Sequence, residues 1–199
     1  MVPQYLCSKE VGLDEAGRGS LIGPVFTAAV ILPPNHINPN IKDSKKTKEV
    51  KREEIVTEIE NDALDYSVGF ADVDDIDTYN IKNAVIYSMR NCIDSLVEPF
   101  ESIVCDGTEF NGYKDFDFEN LKKGDDRVLS IAAASILAKY YRDKYICNEI
   151  DPQIPHFKCC SNKGYGTKEH RDLIYQYGYT RFHRKTFKPV SELIRKSES

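Results

Sequence analysis

With 199 residues, 41% of them hydrophobic and 30% charged, the chain has the composition of a globular protein with a sizeable core, which excludes disordered and fibrous classes. No apolar run approaches a membrane span and the opening MVPQYLCSKEVG lacks a signal-peptide core, so a soluble, intracellular, cytoplasmic protein is expected. A net charge of −5 argues against a surface that is basic throughout, so contact with a polyanion has to rest on local patches.

In chain order, residues 8–15 read as a strand ending in two adjacent carboxylates, Asp14 and Glu15, with Gly17-Arg18-Gly19 close behind. Neighbouring strand residues point to opposite faces, so the two acids cannot both be buried cheaply against a core. Taken alone, that stretch fits an acidic hairpin end as well as it fits a metal and phosphate site. Residues 24–32, PVFTAAVIL, are largely apolar and read as a buried second strand, antiparallel to the first. Prolines and asparagines over 33–40 mark a loop. Thr47 is placed to cap a helix running to about Asn61, with Val50, Ile55, Ile59 and Ala63 near one face.

Residues 65–73 alternate as a third strand. An amphipathic helix is expected over 78–96, where Ile81, Ala84, Val85, Ser88, Met89, Cys92, Ile93 and Leu96 recur at three- and four-residue spacing. Ser102-Ile103-Val104-Cys105 forms a buried strand that runs into Asp106-Gly107, and 116–121 is a further strand. A long helix opens at Asp125 or Asp126 and continues to about Cys147, and its Ala132-Ala133-Ala134-Ser135 face is small enough for close packing. Gly164-Tyr165-Gly166 interrupts the chain, Thr167 caps a helix to about Tyr177, and the basic tail 182–199 ends in a helical turn or two. This order implies an α/β class with a mixed sheet, in one domain over 1–199. The six cysteines show no CxxC pair and no zinc-type spacing, so reduced thiols are expected, including the vicinal Cys159 and Cys160.

Chemistry gathers where elements end. Asp14 and Glu15 close the first strand, Asp106 closes a later one, and Asp125 stands before a helix. In open α/β sheets, sites lie at the carboxyl ends of strands, so Asp14 and Asp106 meet if their strands are neighbours. A carboxylate set without clustered His or Cys selects a hard cation, Mg²⁺ or Mn²⁺, and nuclease sites of this kind hold two ions about 4 Å apart. For Asp125 a plain helix-capping role is the alternative.

Lys42, Lys45, Lys46, Lys48, Lys51 and Arg52 form one basic run, and Arg181, Arg184, Lys185 and Lys188 another. Each alone is by default a solvated face; two in an acidic chain read as a phosphate footprint. The glycine spacing from Gly17 to Gly23 loosely matches a dinucleotide fingerprint, but Pro24 and a strand follow where a helix is required. Gly17-Arg18-Gly19 suits another use. Bare backbone there can approach a nucleotide closely and hydrogen-bond a ribose 2′-hydroxyl. Tyr165, also between glycines, could offer its ring to a sugar, although an ordinary half-exposed turn tyrosine has the same pattern.

Six blocks in order carry a resemblance: GLDEAGRGSLIGPV, DSKKTKEVKREEI, YNIKNAVIYSMR, VCDGTEF, KGDDRVLSIAAASILAKYYRD, and GYGTKEH with HRKTFKPV. Together they resemble the type 2 ribonuclease H family, ribonuclease HII. The type 3 family is a poorer match because it lacks arginine in the glycine turn and carries an extra N-terminal substrate-binding domain. Ser20, where proline is usual, Cys159-Cys160, and Asp126 beside Asp125 depart from the type 2 pattern.

The resemblance implies an RNase H-like mixed sheet flanked by helices, with a helical C-terminal part over about 150–199 that closes the substrate groove. It implies a metal-dependent endoribonuclease that cleaves the RNA strand of RNA–DNA hybrids and incises duplex DNA 5′ to embedded ribonucleotides, leaving 3′-hydroxyl and 5′-phosphate ends. Asp14, Glu15, Asp106 and Asp125 map to the metal-binding carboxylates. Gly17, Arg18, Gly19 and Tyr165 map to recognition of the 2′-hydroxyl and the RNA-to-DNA junction. Lys45 and Lys46, and less directly Lys139 and Arg142, fall in blocks for phosphate contact or site support. The expected partner is a hybrid or ribonucleotide-containing duplex, bound by a monomer with no obligate protein partner.

Overall fold

A computed structural model of the chain describes residues 9–41 and 49–197. Five strands form one mixed sheet in the order β3-β2-β1-β4-β5. They are β1 (Glu10–Ala16), β2 (Val25–Ile31), β3 (Asp65–Ala71), β4 (Ser102–Asp106) and β5 (Asp117–Leu121). β1, β2 and β3 form an antiparallel meander, whereas β4 runs parallel to β1 and β5 parallel to β4. The expected mixed α/β sheet and the antiparallel first pair are both present.

Alternation along the central strands supplies two faces. Val11, Leu13, Ile103 and Cys105 point to one, where α2 (Val73–Asp94) buries Ala84, Val85, Met89 and Ile93 against them. The other face carries Ala16, Ala28 and Val30 under α3 (Leu129–Tyr145) and α1 (Glu49–Asp62). Ala132, Ala133 and Ala134 are fully buried there, and a Cβ on Gly12 would lie 2.2 Å from the Ser130 carbonyl carbon, so α3 rests directly on the backbone of β1. Small residues on both surfaces permit that approach, and α3 runs along β1, with Ser130 beside Glu10 and Gly12, Ser135 at Asp14 and Arg142 at Gly17.

α2 begins earlier than its apolar periodicity predicts. Asp72 caps it, accepting from the Asp75 N–H, and the Asp75 side chain returns the bond in a capping box. Asn80 then breaks the helix at φ +66° and caps the second segment, its Oδ1 accepting from the Asn83 N–H at 3.1 Å. The expected start near Thr78 thus matches the second segment.

Beyond α3 the chain takes a π-helical turn (Ile146–Ile150) and two short 3-10 turns, then α4 (Cys159–Asn162), α5 (Lys168–Tyr177) and α6 (Val190–Ser197). Thr167 caps α5 as expected, accepting from the His170 N–H. Leu21 and Ile22 are buried among Ile146, Ile150, Phe157 and Ile174, so this part is packed onto the loop after β1. Cys147 and Cys160 form a disulfide, which corrects the expectation of reduced thiols there; Cys159, the vicinal partner, is a free buried thiol. No described helix is long and apolar enough to cross a membrane.

Candidate active site

β1 and β4 are paired in parallel with Leu13 opposite Cys105, so the next residues, Asp14 and Asp106, follow on neighbouring strands where that pairing stops; Asp106 ends β4, while β1 continues to Ala16. Alternation separates the two adjacent acids. Asp14 turns to α3, where the Ser135 hydroxyl donates to it, and Glu15 turns to the α2 side. There Glu15, Arg18, Lys82, Asp106, Thr108 and Glu109 border a cleft of about 320 Å³ with an apolar floor of Val85, Met89 and Cys105. The Asp106 Oδ1 accepts from the Gly124 N–H at 2.7 Å. Gly124 opens a 3-10 turn (Gly124–Asp126), so this bond draws buried Asp125 toward the same sheet end. α3 starts only at Leu129 after Val128, so Asp125 is not its cap.

Crowding shapes the electrostatics. Burial, then the charges of Glu15 and Asp106, raises the Asp14 pKa well above the ordinary carboxylate value, against hydrogen bonds from Ser135 and the Glu15 N–H. Burial is also the largest cause of the raised Glu15 pKa, which Arg18 partly offsets. Arg18 Nη1 stands 3.5 Å from Glu15 Oε1, and Nη2 donates to Glu109. As placed, the described residues include no group of three or more His, Cys, Asp or Glu side chains set to hold a metal ion. Glu15 leans to Arg18 and Asp106 to Gly124, so the carboxyls do not converge on one point. The donor chemistry still fits a divalent cation. Hard oxygen ligands are concentrated where like charges already raise two pKa values, and a cation relieves that repulsion.

The glycine turn sits between this cleft and the C-terminal part. Gly17 has φ +90°, and a Cβ on it would lie 1.8 Å from Arg142 Nε. Gly19 differs: a Cβ there meets nothing within 4 Å, so no intramolecular contact requires glycine. Ser20 forms an isolated β-bridge with Tyr165 and Ile22 one with His183, which sets the Tyr165 turn alongside Gly17-Arg18-Gly19. Tyr165 is 37% exposed, and the buried Arg142 guanidinium lies 5.2 Å from its ring centroid. Lys139 is 5.9 Å from the same centroid and is paired with Asp143 at 2.8 Å.

Arg184 corrects one expectation. Its position in the sequence groups it with the exposed Arg181, Lys185 and Lys188 as a phosphate footprint, yet it is fully buried. Its guanidinium donates to the carbonyls of Gly17 at 2.9 Å, Arg18 at 2.8 Å and Gly23 at 3.0 Å. Charge-assisted bonds of this kind contribute about 1.5–3 kcal/mol each, enough to hold the glycine turn rigid. Burial, with Arg142 nearby, lowers its pKa to about 9, which leaves it charged at neutral pH. A run of basic letters does not reveal which of its members turns inward. Lys45 and Lys46, with the Thr47 cap, lie outside the described residues.

Comparisons with known proteins agree with this layout. The family model described as Ribonuclease HII matches residues 11–190. A "Ribonuclease HII" from Parabacteroides distasonis is 45% identical over 185 residues, 93% of this chain and 92% of that one. The crystal structure of the ribonuclease H2 from Pyrococcus horikoshii OT3 superposes with a TM-score of 0.79 at 21% identity, covering 96% of this chain and 99% of that one. A structure of Bst-RNase HIII in complex with Mn²⁺ superposes with a TM-score of 0.69 at 19% identity, covering 98% and 72%. These likenesses show an RNase H-like α/β fold, and the relative's identity over nearly the whole length shows more than fold. The chain belongs to the ribonuclease HII family of ribonuclease H hydrolases, endoribonucleases acting on RNA–DNA hybrids.

Proposed function

We propose that this enzyme, besides cutting the RNA strand of hybrids, incises duplex DNA 5′ to a single embedded ribonucleotide and leaves 3′-hydroxyl and 5′-phosphate ends. The observation that supports this reading is the bridge between Ser20 and Tyr165, which brings the backbone of the Tyr165 turn next to the glycine turn, whose Arg18 borders the carboxylate cleft. A single ribose recognised there has its phosphodiester within reach of Glu15 and Asp106. Backbone groups of Gly17-Arg18-Gly19 hydrogen-bond the 2′-hydroxyl, and the Tyr165 ring packs on the sugar at the junction.

Asp14, Glu15, Asp106 and Asp125 would hold divalent Mg²⁺ or Mn²⁺, two ions with substrate bound; such ions supply an activated water and stabilise charge on the leaving oxygen. Arg18 releases Glu15 as the substrate phosphate takes its place beside the guanidinium. Lys45 and Lys46 add phosphate contacts from the preceding basic run. The reading also takes the chain as one catalytic domain acting as a cytoplasmic monomer, with residues 150–199 closing the substrate groove.

Cleavage of three matched duplexes tests it: a uniform hybrid, DNA with one ribonucleotide, and all-DNA, each in Mg²⁺ and in Mn²⁺. The first two are cut and the third is not. Equal cutting of the all-DNA duplex overturns ribose reading, and an intact single-ribonucleotide duplex overturns incision.

A further inference from the structure

The two buried histidines of the C-terminal part have a determinate hydrogen pattern. Thr180 N–H donates to His183 Nδ1 at 3.0 Å, so Nδ1 is the acceptor of a neutral ring and the hydrogen sits on Nε2. His183 Nε2 stands 3.4 Å from His170 Nε2, and only one of these nitrogens can supply the hydrogen between them. His183 therefore donates and His170 accepts, which leaves the His170 hydrogen on Nδ1. That nitrogen is 2.9 Å from the Tyr165 carbonyl oxygen and donates to it. Both rings are fully buried, with Phe157 packed against each.

From this chain of directed bonds we infer that His170 and His183 are positioning residues, which fix the Tyr165 backbone where it bridges to Ser20 and so set the ring beside the glycine turn for a bound ribose. The inference rests on the reading of Tyr165 as the ribose contact.

Three features make the link more than core packing. The Tyr165 carbonyl already accepts from the Thr167 N–H at 2.8 Å, so the His170 bond takes its remaining lone pair and fixes the peptide plane. His183 pairs with Ile22 two residues after Ser20 pairs with Tyr165, so both ends of the relay are tied to one segment. Arg184, next in sequence to His183, holds the carbonyls of the glycine turn itself. Neutral rings are a requirement, and burial depresses the pKa of each, that of His183 to about 3.

The first test uses the unmodified protein and no substrate. Long-range ¹H–¹⁵N correlation spectra at pH 7 assign imidazole tautomers directly. The expected result is an Nδ1–H tautomer for His170 and an Nε2–H tautomer for His183. The opposite tautomer at either ring, or a charged imidazole, overturns the inference.

The second test is a double-mutant cycle on the single-ribonucleotide duplex. His170→Leu is expected to lower kcat/KM about tenfold, since displacement of a positioning group by roughly an ångström costs one to two orders of magnitude. His170→Asn, whose amide can still donate to the Tyr165 carbonyl, recovers most of that loss. In a Tyr165→Ala background His170→Leu costs nothing further. An equal loss in both backgrounds marks a merely structural histidine and overturns the inference. If Tyr165→Ala cleaves as the parent does, the ribose-contact reading fails and this inference with it, whatever the tautomers. If Tyr165→Ala is impaired and His170→Leu is not, the inference alone fails.

Discussion

Gly17 and Arg142 contend for the same volume: a Cβ on Gly17 would lie 1.8 Å from Arg142 Nε, at a backbone φ of +90°. Gly17→Ala therefore combines left-handed strain of about 1–2 kcal/mol with overpacking of about 1–3 kcal/mol. A loss of stability of at least about 2 kcal/mol is expected in denaturant melts. Gly19→Ala meets neither obstacle and leaves the melt unchanged. Its effect is expected on ribonucleotide cleavage, where the new methyl stands in the path of the sugar. A Gly19→Ala enzyme as active as the parent would remove the glycine turn from ribose contact.

Arg184→Lys separates charge from geometry. A single ammonium cannot span the carbonyls of Gly17, Arg18 and Gly23 that the guanidinium fork joins. The fork's three bonds are reduced to one or two while the Gly17 carbonyl keeps only the Ser20 N–H, at a cost of about 1–3 kcal/mol, and the melting temperature falls by roughly 2–12 °C. Were Arg184 a phosphate contact, the same change would be nearly silent in the melt and would alter the salt dependence of substrate binding.

β2 and β4 were legible because their apolar runs are short and bounded by turns, and β1 with β4 placed Asp14 beside Asp106 as the carboxyl-end rule expects. The expectation for Asp125 rests on its block and not on spacing; the Asp106–Gly124 bond, which brings the turn carrying Asp125 to the end of β4, is a tertiary contact that spacing does not encode. Periodicity missed the first segment of α2, which is too short and polar to show a stripe and depends on the Asp72–Asp75 capping box. Cys147 and Cys160 meet only because the chain folds back after the π-helical turn, a contact that no spacing rule encodes. Arg184, His170 and His183 carry ordinary polar letters, and burial alone distinguishes them.

Asp14→Asn tests the carboxylate site by two independent readouts. Cleavage is expected to fall by more than the roughly 100-fold typical of outer-shell partners. The fold, without metal, is expected to gain stability, because the substitution removes a buried charge repelled by Glu15 and Asp106. The Asp14 pKa is raised in the folded state, so the parent binds that proton more tightly when folded and loses stability as pH rises through the folded pKa. The advantage of the variant thus grows with pH. Added Mg²⁺ or Mn²⁺ raises the parent melting temperature and raises that of Asp14→Asn much less. A metal response unchanged by the substitution would move the ion site elsewhere.

The buried histidines predict a separate acid weakness. Burial, then the rings of His170 and His156, lowers the His183 pKa to about 3, against its ordinary 6.5, and burial lowers that of His170 as well. Between 6.5 and about 3 the unfolded chain takes up a proton that the folded His183 refuses. Stability from this source is complete above 6.5 and declines as pH falls, by about 1.4 kcal/mol per pH unit for His183. Asp14 and Glu15 pull the other way in acid, so the parent profile alone does not isolate the effect. The difference between parent and His183→Gln does, since both carry the same carboxylates. His183→Gln lowers stability at pH 7.5 and narrows the gap steadily as pH drops through 5. A gap that stays constant with pH would mean that His183 is protonated as easily in the folded protein as in the unfolded chain.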